Sequence, residues 1–299
     1  MNVNNKYWKP KRHFNVYDLE WNNFSIKEID REYSPSSVIG GDYKPFINKY
    51  ESDSEIARSV VSSETFLYGI KQSQKIEITS FNKNSNQNLK PILAFIHGGY
   101  WQELSVKESF FPAINAVKNN IGYAAIDYTL APDATIDEIV NECKLAIDWL
   151  FNNTKKLGFD NKKIILAGSS AGAHLVAMSV IEKLKKSPLG AILVSGIYDI
   201  EPLIGTSIDE ALNLNKDQTS RNSPINYSLE NFPPTVVAWG EFETEQFKKQ
   251  SKILVNKLID DGVPVRSLEI KDKNHFDIIF DLADLTKPLG FELQQLLNF

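Results

Sequence analysis

KIILAGSSAGAHL, residues 163–175, decides how this sequence folds. Its first half, Ile164–Ala167, is a continuous apolar run of strand length. Its second half opens the run HLVAMSVIEKL, which reads as an apolar helix. Between them lies Gly168-Ser169-Ser170-Ala171-Gly172, the pattern G-x-S-x-G at a strand-to-helix junction. A sharp turn there needs flanks without a Cβ, so that the central Ser170 can project its Oγ. The following helix presents its unpaired N–H groups and positive dipole end, which favour developing negative charge. Ser170 is therefore the candidate nucleophile, Ala171 the candidate N–H donor next to it, and Ser169 a lining residue of the turn. The competing reading is a small-residue turn that packs a helix onto a sheet. As a bare pattern G-x-S-x-G is weak, and the strand before it and helix after it carry the weight.

Working outward, the same texture recurs: ILAFI (92–96), YAAID (123–127), AILVSG (191–196) and TVVAWG (235–240) are short apolar runs bounded by glycine or polar residues. Continuous rather than alternating apolarity predicts strands buried on both faces, as in a parallel sheet covered by helices. Helical patterns over 135–152, 171–186 and 244–261 separate most of them, and a last strand is expected at 265–270. Such alternation predicts a doubly wound, mostly parallel α/β sheet with helices on both faces. Residues 1–70 differ. They are polar, rich in Asn, Ser and Tyr, and carry aromatics (Tyr7, Trp8, Trp21, Phe24, Tyr33) without a sustained period. The expectation is an arm over 1–70 with short helices, closing over a pocket, on a catalytic unit over 71–299 that completes a single domain. Beyond the Asn/Lys/Ser loop at 82–90, no repeat or low-complexity block stands out.

In sheets of this kind functional groups collect at the carboxyl ends of strands. A serine hydroxyl needs a base, and the chain has four histidines. His13 falls in the polar arm and is expected to be solvated. His97 belongs to the end of another strand. His174 lies one helical turn past Ser170, which points to a structural role. His275, in the polar stretch EIKDKNHFDII after the last strand, is where the order Ser, acid, His places the base. The strand ILAFI ends in His97-Gly98-Gly99-Tyr100-Trp101, a glycine loop suited to bring backbone N–H groups onto a tetrahedral oxyanion. Gly98, Gly99 and Tyr100, with Ala171, make the candidate oxyanion hole. Tyr100, Trp101 and Ser169 are the candidate substrate contacts.

HGGYW, DYTLAP, GSSAGAHL and LVSGIYDIEP…RNSP resemble the kynurenine formamidase (arylformamidase) family of α/β-hydrolases, near the hormone-sensitive-lipase-like esterases. The similarity extends to REYSPS (31–36) and EFETEQFKKQS (241–251), and so from about residue 30 to the end of the chain. The HGG-aromatic-Trp and REYSPS motifs are the discriminating ones. The resemblance implies an α/β-hydrolase fold, hydrolysis of N-formyl-kynurenine to kynurenine and formate without a metal, and a pocket capped by the arm. Two positions depart from the family pattern: Ser169 stands where many members carry His, and Glu243 where they carry the Asp of the triad. Within Gly240–Glu245, Glu241 comes straight off the strand and Glu245 falls at the helix start. Glu243 lies between them and matches the family's acid when Phe247 and Lys249-Gln250-Ser251 are aligned. Asp272 and Asp277 flank His275 and are its rivals.

Composition sets the outer bounds. The 299 residues are 42% hydrophobic and 24% charged, with a net charge of −5, which leaves no basic footprint for nucleic acid or an anionic membrane. The lone Cys143 sits at helical spacing with Ile139, Val140, Ile147 and Leu150, as a core residue would. Residues 1–14 lack the apolar segment of a signal peptide, and no apolar run approaches the ~18 residues of a membrane span. The expectation is a cytoplasmic protein in which the sequons at Asn23, Asn152 and Asn226 are idle. Neither H-E-x-x-H spacing nor a phosphate-binding glycine loop is present, so no metal and no cofactor are expected. The Lys pairs, such as Lys155-Lys156 and Lys185-Lys186, read as solvated faces. The partner is a small aryl formamide or ester, and the oligomeric state is not legible. The rival functions are a carboxylesterase acting on small acyl groups, and a non-catalytic binding protein, which would need a broken triad.

Overall fold

The computed structural model describes residues 8, 13–16, 18–81, 89–181 and 186–298. Tyr7, Lys185, residues 82–88 of the polar loop and residues 182–185 of the expected helix lie outside the described residues. The described strands are β1 (Ser63–Leu67), β2 (Lys75–Thr79), β3 (Lys90–Ile96), β4 (Gly122–Ile126), β5 (Phe159–Ser169), β6 (Gly190–Val194), β7 (Thr235–Phe242) and β8 (Val265–Asn274). They form one sheet in the order β1-β2-β4-β3-β5-β6-β7-β8. β1 and β2 run antiparallel to their neighbours, and every pairing from β4 to β8 is parallel.

The helices are α1 (Ile26–Glu32), α2 (Lys44–Val60), α3 (Ala113–Lys118), α4 (Ile136–Asn153), α5 (Ala171–Val180), α6 (Asp209–Leu212), α7 (Lys216–Arg221), α8 (Glu245–Asp260) and α9 (Pro288–Leu297). Alternate strand residues feed two cores. Ile92, Ala94 and Ile96 of β3 pack with α4, α5 and α8, whereas Leu93 and Phe95 pack with α2, α3 and α9. Both faces of the sheet are thus covered, which is why its strands read as unbroken apolar runs. All ten residues of α5 are buried, as a helix apolar all round must be. Thr135 caps α4 reciprocally with Glu138, and Cys143 is fully buried on its inner face. No helix among the described residues is long and apolar enough to cross a membrane.

The N-terminal expectation needs correction. α2 is a 17-residue helix, and β1 is a strand of the main sheet, so a boundary at residue 70 cuts into the catalytic fold. α2 escapes a periodicity reading because its buried stripe is only Tyr50, Ser54 and Ala57. β1 escapes because it is an edge strand without a fully buried residue. Three strands also run longer than their apolar cores: β5 starts at Phe159, β7 ends at Phe242 and β8 at Asn274.

Candidate active site

The chain leaves β3 toward β4 on one side of the sheet and returns across it to β5 on the other. This reversal opens a crevice at the carboxyl ends of β3 and β5, the place where doubly wound sheets bind ligands. Ile96 and Gly168 are register partners there, so the glycine loop and the G-x-S-x-G turn start side by side.

Ser170 sits between β5 and α5 with φ 56° and ψ −123°. A non-glycine residue held in so sparsely populated a region is strained. The surroundings enforce it: Ser170 N–H donates to Val194 O at 2.8 Å, and Gly172 lets α5 press onto β3. A Cβ on Gly172 would stand 2.0 Å from Ile96 O. The competing reading of this turn as mere packing has a physical basis, yet packing alone does not call for a strained serine at the rim of a cavity.

The glycine loop is equally constrained. Gly99, Tyr100 and Trp101 follow one another at φ 94°, 49° and 61°, and a Cβ on Gly99 would lie 2.2 Å from Glu103 O. Among the described residues no hydrogen-bond acceptor is recorded for the N–H of Gly99 or Tyr100. Ala171, first residue of α5, has no intrahelical acceptor for its N–H either. Gly98 offers its carbonyl inward, to His97 Nδ1 at 2.9 Å and Tyr128 Oη at 3.2 Å.

Glu243 and His275 are brought together by strand register. Beyond an irregularity at Gly240, Phe242 pairs with Asn274, so the next residues of the two chains, Glu243 and His275, emerge as neighbours. His275 Nδ1 lies 3.2 Å from Glu243 Oε2. Facing a carboxylate, Nδ1 carries the proton and donates it, which leaves Nε2 as the basic nitrogen. Glu243 Oε1 accepts from Gly240 N at 2.5 Å and from Ser195 Oγ at 2.6 Å. Both residues are 5% exposed. The rival acids lie elsewhere: Glu241 accepts from the backbone N–H of the exposed Asp272, Asp277 accepts from Asn274 N, and the exposed Glu245 pairs with Lys248. Phe247, edge-on at 4.6 Å between centroids, closes one side of the imidazole.

Ser169, Ser170, Gly98, Gly99, Tyr100 and His275 line one cavity of about 370 Å³. Arm residues line it as well, among them Asp30, Tyr33, Pro35, Tyr43, Ile47 and Tyr50. The last three lie at helical spacing along the start of α2. Tyr43 and Phe46 stack on Phe276 at 5.6 Å, and Tyr50 Oη donates to Phe276 O. The arm therefore both covers the cavity and grips the residue beside His275.

Two expectations are corrected, at Trp101 and Trp21. Trp101, expected at the substrate, is fully buried and packs edge-on against His174 at 5.0 Å, away from the cavity lining. Trp21 packs on the core without lining the cavity. His13, expected to be solvated, is exposed, with Nε2 2.6 Å from the also exposed Asp260 Oδ1. The other histidines sit as structural residues. His97 stacks on Tyr128 at 4.3 Å and its Nε2 lies 3.2 Å from Asp127. His174 Nε2 lies 2.6 Å from Asn222 O.

A strained serine turn beside a glycine loop, at the switch point of this sheet, defines the class: the protein is a hydrolase of the α/β-hydrolase fold. Residues 78–193 match the BD-FAE family. A kynurenine formamidase of Danio rerio is 30% identical over 294 residues, spanning 90% of this chain and 97% of its own. An arylesterase of Saccharolobus solfataricus is 26% identical over 225 residues, 67% of this chain and 71% of its own. A solved Silicibacter sp. protein superposes with a TM-score of 0.77 at 24% identity, covering 89% of this chain and 99% of that one, and supports the fold alone. The chain belongs to the kynurenine formamidase family.

Proposed function

We propose that the protein is an arylformamidase that hydrolyses N-formyl-kynurenine to kynurenine and formate through a formyl-enzyme on Ser170. The observation that carries this reading is the Glu243–His275 contact at the rim of a cavity that Ser170 also lines. In the proposed reaction His275 Nε2 takes the Ser170 proton as Oγ attacks the formyl carbon. The tetrahedral oxyanion is held by the N–H groups of Gly99, Tyr100 and Ala171, each worth about 3 kcal/mol of barrier. The imidazolium returns its proton to the arylamine nitrogen, the C–N bond breaks and kynurenine leaves. Water, activated by the same base, then cleaves the formyl ester and releases formate. Glu243 holds the imidazole tautomer and stabilises the imidazolium throughout. Tyr100 and Ser169 are the residues of the cavity wall assigned to the substrate, and residues 18–60 act as its cap.

The second reading, a carboxylesterase for small acyl groups, is favoured by the arylesterase relative and uses the same machinery. Comparison of kcat/KM for N-formyl-kynurenine and short p-nitrophenyl esters separates the two. The formamide is expected to lead by about 100-fold or more, the scale at which a built site discriminates. A reversed ratio would make the protein an esterase.

A further inference from the structure

Ser195 is used by none of the steps above, yet its conformation is as constrained as that of Ser170. It follows β6, is fully buried, and adopts φ 51°. The left-handed region is uncommon for a residue with a Cβ, and at a buried position it persists only where the surroundings impose it. Here its N–H donates to Ala238 O at 2.8 Å, which extends the β6–β7 register by one residue. Its side chain donates from Oγ to Glu243 Oε1 at 2.6 Å.

The two oxygens of Glu243 are thereby given separate tasks. Oε1 accepts from Ser195 Oγ and from Gly240 N, and Oε2 is left for His275 Nδ1. A buried carboxylate with one donor on Oε1 can swing about its last bond, whereas two donors on that oxygen fix its plane. We propose that Ser195 is a positioning residue of the hydrolase, which holds the Glu243 carboxylate so that Oε2 alone faces His275. This rests on the assignment of Glu243 as the acid partner of His275. The strained backbone is what places the hydroxyl: it turns the chain at the end of β6 toward the loop after β7, where an extended residue would carry its side chain into one of the two cores.

The test is a double-mutant cycle on the full chain with N-formyl-kynurenine as substrate. Ser195→Gly removes the hydroxyl while leaving a residue for which a positive φ is no burden, so the fold is retained. Loss of a hydrogen bond to a charged group is expected to lower kcat about tenfold, with KM within about twofold. Because Ser195 acts through Glu243, the double variant Ser195→Gly/Glu243→Gln should be no slower than Glu243→Gln alone. A Ser195→Gly enzyme with wild-type kcat, a loss confined to KM, or losses that multiply in the double variant would each overturn the inference. If Glu243→Gln is itself as active as the wild type, the acid assignment fails instead, and the cycle tells the two failures apart.

Discussion

Ser169 and Ser170 are neighbours of the same type with different surroundings, and the proposed chemistry rests on the difference. Ser169 ends β5 in regular pairing with Val194, whereas Ser170 is forced into a strained turn at the cavity. Ser170→Ala is expected to lower kcat by about 10⁶, the cost of removing the nucleophile of a cooperating set. Ser169→Ala should keep at least about a tenth of the activity, since it removes only part of the wall. Steady-state kinetics on both variants checks this, and comparable losses would mean that the wrong serine carries the nucleophile. At this scale the candidates Ser170, Glu243 and His275 were legible in the sequence as neighbours at one site, because each follows a strand that could be recognised. It misled at Trp101: three successive left-handed residues turn that side chain into the core, and nothing in HGGYW announces the direction. Ser195 left no signal at all, because its link to Glu243 depends on how β6 pairs with β7.

α5 carries the second lesson, at the scale of the element. Burial lowers its His174 from the usual 6.5 to about 4, although the bond to Asn222 O pulls the other way. The unfolded chain takes up this proton below about pH 6.5 and the folded protein only near pH 4. The contribution of His174 to stability is therefore whole above pH 6.5 and is lost as the pH falls toward 4. Between pH 7 and 5 the loss amounts to about 2 kcal/mol. Urea unfolding at the two pH values should show that difference shrinking by about this amount in His174→Gln, where no proton is taken up. An identical pH dependence in both proteins would mean that the imidazole is charged in the fold or reached by water. The comparison with the variant cancels Asp199 and Asp277, whose carboxyls burial raises and which act with the opposite sign. Elements of this buried kind were the legible ones, since solvent reaches neither face and their sequences are apolar throughout. α2 and β1 were missed because they lie at the margin, where a few buried residues suffice and polar ones fill the rest.

The arm joins the site to the rest of the molecule. Trp8 and Leu19 are buried, Phe14 lies edge-on to Trp239 at 5.7 Å, and the Asn256 side chain bonds the backbone of Phe14 and Val16. Glu20 pairs with Lys249 at 2.9 Å. Asp30 and Tyr33 then line the cavity itself. Deleting residues 1–30 should accordingly lower the melting temperature by several degrees, as the exposure of buried aromatic and aliphatic side chains requires. It should also raise KM, because Asp30 is lost from the cavity wall and α1 is reduced to its last two residues. Unchanged melting and unchanged kinetics would show that the arm neither anchors nor covers.

The central claim is that hydrolysis runs through Ser170 in a cavity served by His275 and Glu243. It is tested most directly by treating the enzyme with a serine-directed organophosphonate, mapping the adduct by peptide mass, and following residual activity on N-formyl-kynurenine. The account predicts one adduct per chain, on Ser170, with activity falling in proportion to labelling and unaffected by prior treatment with EDTA. An adduct on another residue, full activity in the labelled protein, or an EDTA-inactivated enzyme restored by added metal would contradict it.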